Sequence, residues 1–282
     1  MAEANELTEI LHLEQVELDM FRGFTPPEER SRIYGGQVVA QALTAAYRTI
    51  EDRLCASLHA YFIRPGDPRI PVMYMVERVR DGGSFSVRRV IAVQNGQQIF
   101  NLAATFQTDE QGFEHQFEMP DVPAPEGLLN EEQLREAAGV APQPGRRLWP
   151  VEVRPVDPIP WGDVGAHDSR NALWFKSRQP MSPDVPANQC AIAYASDMSL
   201  LDACLRPHPV NWDTGGMQTA SLDHAMWFHR PSDFSDWHLY VMDSPSASGG
   251  RGFNRGSIYS RDGRLAVSAA QDGLIRYRPK KA

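Results

Sequence analysis

Cysteine is scarce, at three residues, and Cys55, Cys190 and Cys204 form neither a C-x-x-C pair nor an even set. That spacing excludes a zinc framework and a disulfide scaffold, and it suits a reducing cytoplasm. Positive charge is also in deficit. Lys plus Arg is 28 against 36 for Asp plus Glu, a net charge of −8. A general nucleic-acid binder, whose affinity rests on basic patches, is excluded on that ground. No apolar run approaches the roughly 18 residues that a membrane helix needs. Met1–Ile10 has neither the basic nor the apolar part of a secretory leader, and the C-terminal Pro279-Lys280-Lys281-Ala282 is no peroxisomal address. There is no G-x-S-x-G elbow for a serine nucleophile and no H-E-x-x-H among the eight histidines. Gly249-Gly250-Arg251-Gly252 with Gly256 misses both phosphate-loop patterns and reads as a turn between strands.

What is present is proline in one place and a repeat around it. Nine of the 22 prolines fall between Pro120 and Pro160. Apart from a short helix expected at Asn130–Ala138, that stretch lacks periodicity and reads as a linker. It separates a first half, 1–117, from a second, 166–282, across 118–165. Shifted by 166 residues, Ala60–Gln107 lies on Met226–Gly273 with nine identities over 48 positions and no gap. They include Phe62-x-Arg64-Pro65-x-Asp67 on Phe228-x-Arg230-Pro231-x-Asp233. Each half also carries a hairpin dipeptide between strand-like runs, Asn95-Gly96 and Asp262-Gly263.

Both halves read as a helix followed by strands. In the first, Val38, Val39, Ala42, Leu43 and Ala46 share one face of a helix over Gln37–Thr49. Strands are expected near Ser57–Arg64, Val72–Val79, Phe85–Gln94 and Gln97–Gln107. In the second, a helix is expected over Ala187–Leu205, then strands near Thr219–Arg230, Trp237–Met242, Arg255–Arg261 and Arg264–Tyr277. One helix before a run of antiparallel hairpins is an α+β unit with the sheet wrapped on a central helix. Two such units in tandem would set their sheets side by side.

The motifs that go with this pattern are long. The first half has Phe21-Arg22-Gly23, Gly35-Gly36-Gln37-Val38-Val39, His59 through Asp67, Arg80 through Ser86, and Gly112 through Gln116. The second has Ser196-Asp197, Ala220 through Pro231, and Gln271-Asp272-Gly273. From about Leu13 to Arg276 the chain resembles the acyl-CoA thioesterase II family, which is built as a double hotdog. The resemblance implies two tandem antiparallel sheets, each wrapped on a central helix. It also implies hydrolysis of fatty acyl-CoA to free fatty acid and coenzyme A, with no metal or redox cofactor, by a cytoplasmic homodimer or homotetramer.

Three residues of the second half converge on one chemistry. Asp197 falls on the apolar face of its expected helix, with Ala193 and Tyr194 before it and Leu200 and Leu201 after. Burial there would raise its pKa and make it a better base. Ser221 opens the next strand, and Gln271 lies on the last. Each also has an ordinary reading: Ser196-Asp197 as a helix N-cap, Ser221 as a strand serine, Gln271 as a surface amide. The resemblance gives the trio the roles of general base and water-orienting partners, with Ser221 where the family often has Thr. Asp223-His224 is not a dyad, because neighbours on a strand face opposite ways. His59, His224 and His229 fit partly buried, hydrogen-bonded positions. Arg64, Arg88, Arg89, Arg251, Arg255, Arg276 and Arg278 are candidates for the phosphates of coenzyme A. Two other classes share the architecture: an enoyl-CoA hydratase or dehydratase, and a non-catalytic acyl-CoA binding protein.

Overall fold

The computed structural model describes residues 7–27, 31–140, 149–212 and 214–278. The first six residues of the N-terminal segment, the C-terminal tetrapeptide and residues 141–148 of the linker lie outside that set.

The first half runs α1 (Leu7–Leu11), β1 (Leu13–Glu17), β2 (Met20–Gly23), α2 (Gly35–Tyr47), β3 (Leu54–Phe62), β4 (Val72–Asp81), β5 (Phe85–Gln94) and β6 (Gln97–Gln107). The connection that follows holds α3 (Glu131–Ala137). Asn130 caps it and exchanges hydrogen bonds with Gln133, a reciprocal capping box. The second half runs β7 (Val151–Pro155), β8 (Asn171–Ser177), α4 (Val185–Ser196), α5 (Asp202–Leu205), β9 (Met217–Ser221), β10 (Asp223–Phe228), β11 (His238–Ser248), β12 (Arg251–Ser260) and β13 (Leu265–Tyr277).

The repeat survives folding. β5 and β12 are 166 residues apart at both ends. The helices obey a shorter shift of 150, because the second half inserts α5 and its flanks between helix and strands. The strands do not form neighbouring sheets. All thirteen join one antiparallel sheet in the order β1-β2-β4-β5-β6-β3-β10-β13-β12-β11-β8-β7, with β9 also on β13. β3 and β10 close the seam, pairing Tyr61 with Asp223, His59 with Ala225 and Ser57 with Trp227.

β7, within the stretch 118–165, pairs with β8. Two expectations need correction. The expected strand over Thr219–Arg230 is two strands, parted at Leu222. The expected helix over Ala187–Leu205 stops at Ser196, and Ser199 then takes a left-handed φ of 60°. The hairpins also differ from each other. Asn95 and Gly96 both have positive φ, as a two-residue turn of this hand requires. In Arg261-Asp262-Gly263 only Gly263 does, and the register shifts beside it.

α2 and α4 pack against each other, the start of α2 at the end of α4, and α2 packs on β4, β5 and β6. Both are buried nearly all round, which explains their many alanines. Contact is close enough that a Cβ on Gly36 would come within 2.3 Å of the Tyr194 carbonyl oxygen. One continuous core holds Val39 and Leu43 of α2, Ala191 and Ile192 of α4, and inward residues of both strand sets.

Candidate active site

Asp197 is the C-cap of α4 rather than a residue within a longer helix. Its carboxylate leaves α4 and meets the start of α2 across the interface. Oδ2 accepts the Gly36 N–H at 2.9 Å. Tyr34, the N-cap of α2, offers no side-chain cap, so Asp197 supplies from the other half the acceptor that a Ser or Asp usually gives locally. The reading of Ser196-Asp197 as the N-cap of a helix beginning there does not hold, since α4 ends at Ser196; the carboxylate instead caps α2, 161 residues away in sequence. The glycines permit the approach: a Cβ on Gly35 would sit 2.7 Å from Oδ2. Among the described residues Gly35 N–H has no hydrogen-bond partner.

The other two predicted residues arrive on the same carboxylate. Gln271 Nε2 donates to Asp197 Oδ1 at 2.6 Å, and Ser221 Oγ donates to that oxygen at 3.3 Å. Ser221 ends β9, opposite Gly273 on β13. Beyond it the chain leaves β13's register for one residue: Leu222 N–H donates to Asp272 O, and Asp223 Oδ1 accepts Asp272 N–H. Gln271 is 1 % exposed, so it is no surface amide. An ionised carboxylate can only accept, which fixes Nε2 toward Asp197. Gln271 Oε1 is buried with no hydrogen-bond partner among the described residues.

Burial pushes the pKa of Asp197 from 3.8 up to about 6, against the lowering effect of hydrogen bonds from Gln271, Gly36 and Ser221 and of the charge on Arg32. The N-terminus of α2 favours the anion. The result is a carboxylate that is ionised at neutral pH yet more basic than an ordinary aspartate.

Two participants were not foreseen as such. Gly36 lay in a quoted motif, and the signal was a helix start with no capping side chain before it. His224 is buried and touches Gln271 at 3.3 Å and Ser196 at 2.8 Å. The other two candidate histidines are peripheral. His59 is exposed with its ring on Trp227, and His229 is exposed and bonded to Ser268 Oγ, so neither has the burial expected of it. Among the candidate arginines Arg88 is 2 % exposed and bonded to Thr49 and Asp81, which removes it as a phosphate ligand. Arg89, Arg251 and Arg255 pair at the surface with Glu77, Asp272 and Asp243. Arg64 and Arg276 bond Gln98 O and Gln218 Oε1. Gly249 and Gly250 form the turn between β11 and β12, both at positive φ.

The repeat supplies an internal comparison. At the opposite ends of the two helices the corresponding residues are Tyr47 for Asp197, Cys55 for Ser221, Thr105 for Gln271 and Pro186 for Gly36. Tyr47 OH meets Gln189 Oε1 and accepts the Cys55 N–H. Proline has no N–H to offer. An open cleft of about 580 Å³ lies there, lined in part by Thr44, Tyr47, Met181 and Cys190. It has no counterpart of the Asp–Gln–Ser cluster.

Residues 146–274 match the family model described as acyl-CoA thioesterase, and residues 25–107 match that of the acyl-CoA thioesterase N-terminal domain. Acyl-CoA thioesterase 2 of Haemophilus influenzae is 40 % identical over 97 % of this chain and 98 % of its own. The crystal structure of an acyl-CoA thioesterase II from Mycobacterium marinum is 38 % identical and superposes with a TM-score of 0.81 over 98 % of this chain and all of that one. A hot dog fold protein from Alicyclobacillus acidocaldarius, 19 % identical, reaches 0.80 over 97 % and 98 % and shows the shared fold alone. With both family models matched and this identity over nearly the whole length, the chain belongs to the acyl-CoA thioesterase family.

Proposed function

We propose that this chain hydrolyses fatty acyl-CoA thioesters with water activated by Asp197. The observation that carries the proposal is a part-buried carboxylate of raised basicity, held by Gln271, Ser221 and the start of α2, beside an amide oxygen with no partner among the described residues. A water bound here gives one hydrogen to Asp197 and the other to Gln271 Oε1, which aims its lone pair at the thioester carbonyl. As the C–O bond forms, the proton passes to Asp197. The C–S bond then breaks and the proton goes on to the thiolate, leaving the carboxylic acid and coenzyme A. The Gly35 N–H, unpartnered among the described residues at the first turn of α2, is the donor for the developing oxyanion. Such a base is worth typically 10²–10⁴-fold and such a donor roughly 2.7–4 kcal/mol.

The architecture we assign is the double hotdog: 1–117 and 166–282 as two units, each with a central helix, and 118–165 between them. The burial of α2 and α4 and the 166-residue strand repeat support it. The second unit contributes the three catalytic side chains, and the first contributes the helix start that receives Asp197. The reading extends to a cytoplasmic homodimer or homotetramer. Three free, buried cysteines suit the compartment. No described helix is long and apolar enough to cross a membrane. Exposed Tyr61, Met75, Val79 and Trp227 leave apolar sheet surface for self-association.

The test is thiol release from a panel of saturated acyl-CoAs by wild type and Asp197→Asn. Release that depends on Asp197 upholds the proposal. No release from any chain length, or release unaffected by the substitution, overturns it.

A further inference from the structure

His224 is fully buried and within hydrogen-bond reach of polar atoms on both sides. Ser196 Oγ lies 2.8 Å from Nε2, and Gln271 Nε2 lies 3.3 Å from Nδ1. The proton positions follow from the partners. The Ser196 hydroxyl reaches Ala193 O at 2.9 Å and Met226 Sδ at 3.3 Å, of which the carbonyl is the stronger acceptor; with its proton there, its Oγ accepts from His224 Nε2–H. That leaves Nδ1 with a lone pair, and the amide of Gln271 donates to it. Tyr240 OH fixes the backbone end of this chain by donating to Ser196 O at 2.9 Å. Gln271 Nε2 then has both hydrogens engaged, one on Asp197 and one on His224.

We infer that His224 is a positioning residue for hydrolysis, whose Nδ1 lone pair holds the Gln271 amide in one orientation throughout turnover. The inference rests on the water-activation reading above. Its reason lies in the reaction itself. While Asp197 is ionised, it alone would keep Nε2 toward itself. Once Asp197 has taken the water's proton it can donate, and an amide flip would let Gln271 Oε1 accept from it. The oxygen that holds the water's other hydrogen would then be lost from the site. His224 cannot donate at Nδ1, so it rejects the flipped amide in both protonation states of Asp197. Burial lowers its pKa to about 4, which keeps that lone pair available over the working range.

The internal repeat argues that this polar chain serves the reaction and not the fold. The 166-residue shift sets His224 on Leu58 and Gln271 on Thr105, and the helix shift sets Ser196 on Ala46 and Asp197 on Tyr47. Leu58 and Ala46 are fully buried in the same architecture. The same core is therefore built with aliphatic residues where no carboxylate needs an oriented partner. A buried imidazole, hydroxyl and amide carry desolvation costs that the aliphatic version avoids.

Three variants and one spectrum test the inference. His224→Asn keeps an acceptor near the Nδ1 position, His224→Gln reaches Ser196 but not Gln271, and His224→Leu copies the first half. The expected kcat is within about threefold of wild type for Asn and down at least about tenfold for Gln and Leu, with KM within about twofold in all. His224→Gln added to Gln271→Leu should cost no further kcat. A merely structural histidine would lower melting temperature in all three and leave kcat per folded molecule alone. Long-range ¹H–¹⁵N spectra of the wild-type protein should show the Nε2–H tautomer, a readout that needs no variant to fold. A wild-type kcat in folded His224→Leu, equal losses in Asn and Gln, or an Nδ1–H tautomer would overturn the inference. Asp197→Asn is measured alongside: if it retains turnover, the water-activation reading has failed, whereas its loss with an unaffected His224→Leu sinks the positioning role alone.

Discussion

Asp197 and Gly36 belong to different copies of the repeat, yet the carboxylate of one caps the helix opened by the other, Oδ2 to N at 2.9 Å. The carboxylate is thus clamped between the end of α4 and the start of α2. Neither half could form this contact alone.

Asp197→Asn should fold and lose about 10²–10⁴-fold in kcat, since it keeps the shape and removes the basicity. Circular dichroism and a thiol-release assay check both parts. In wild type, kcat/KM should fall as pH drops through about 6, where the carboxylate protonates. The same shift has a stability consequence. A carboxyl whose pKa is raised on folding supports the fold below its unfolded pKa near 3.8 and loses that support as pH rises through about 6. The stability difference between Asp197→Asn and wild type should therefore move toward the variant by about 2 kcal/mol between pH 4 and pH 7.5. Denaturant titrations at the two pH values measure it.

Gln271→Leu removes a hydrogen bond that lowers the pKa of Asp197. The acidic limb of its pH profile should move to higher pH, while kcat falls about ten- to a hundredfold. An unchanged limb would mean that the amide does not act on the carboxylate.

Gly36→Ala should be damaging although alanine is the better helix former. Its Cβ would come within 2.3 Å of the Tyr194 carbonyl oxygen, so α2 and α4 must part. A loss of about 1–3 kcal/mol in stability is expected, by the cost of overpacking. Activity should fall with it as the Asp197 contact lengthens. Thermal melts and turnover numbers on the same preparation decide this.

Ser221 has Asp197 as its hydrogen-bond partner and no histidine against its hydroxyl. No acyl-enzyme is expected. Rapid mixing with excess acyl-CoA and intact-protein mass measurement should show no added acyl group on the active enzyme. A kinetically competent adduct on Ser221 would make that serine the nucleophile.

The sequence exposed the repeat and the trio because both leave marks independent of tertiary context: shared spacing, alternation, and motifs of several residues. The helix end at Ser196 was hidden because Met198, Leu200 and Leu201 continue an apolar pattern that the backbone abandons at Ser199. β1 and β7 were hidden because they are edge strands, short, charged and closed in one case by Pro155. The burial of Gln271 and the partnership of Asp197 with Gly36 depend on pairing across the whole length of the chain, which no local pattern encodes.

The seam of the sheet carries a record of origin. At its centre His59 pairs with Ala225, the residue that the 166-residue repeat identifies with His59 itself. A strand paired antiparallel with its own duplicate at the same residue marks the position of a twofold axis. A lone unit of this kind would meet a second identical chain through that strand, and the resulting homodimer would hold two equal sites. In one joined chain the two positions need not be equal, and here they differ: the places that match Asp197, Ser221, Gln271 and Gly36 hold Tyr47, Cys55, Thr105 and Pro186. These residues should therefore be the tolerant ones: Thr105→Ala and Cys55→Ala should leave turnover largely intact, and a non-hydrolysable acyl-CoA analogue should saturate near one equivalent per chain.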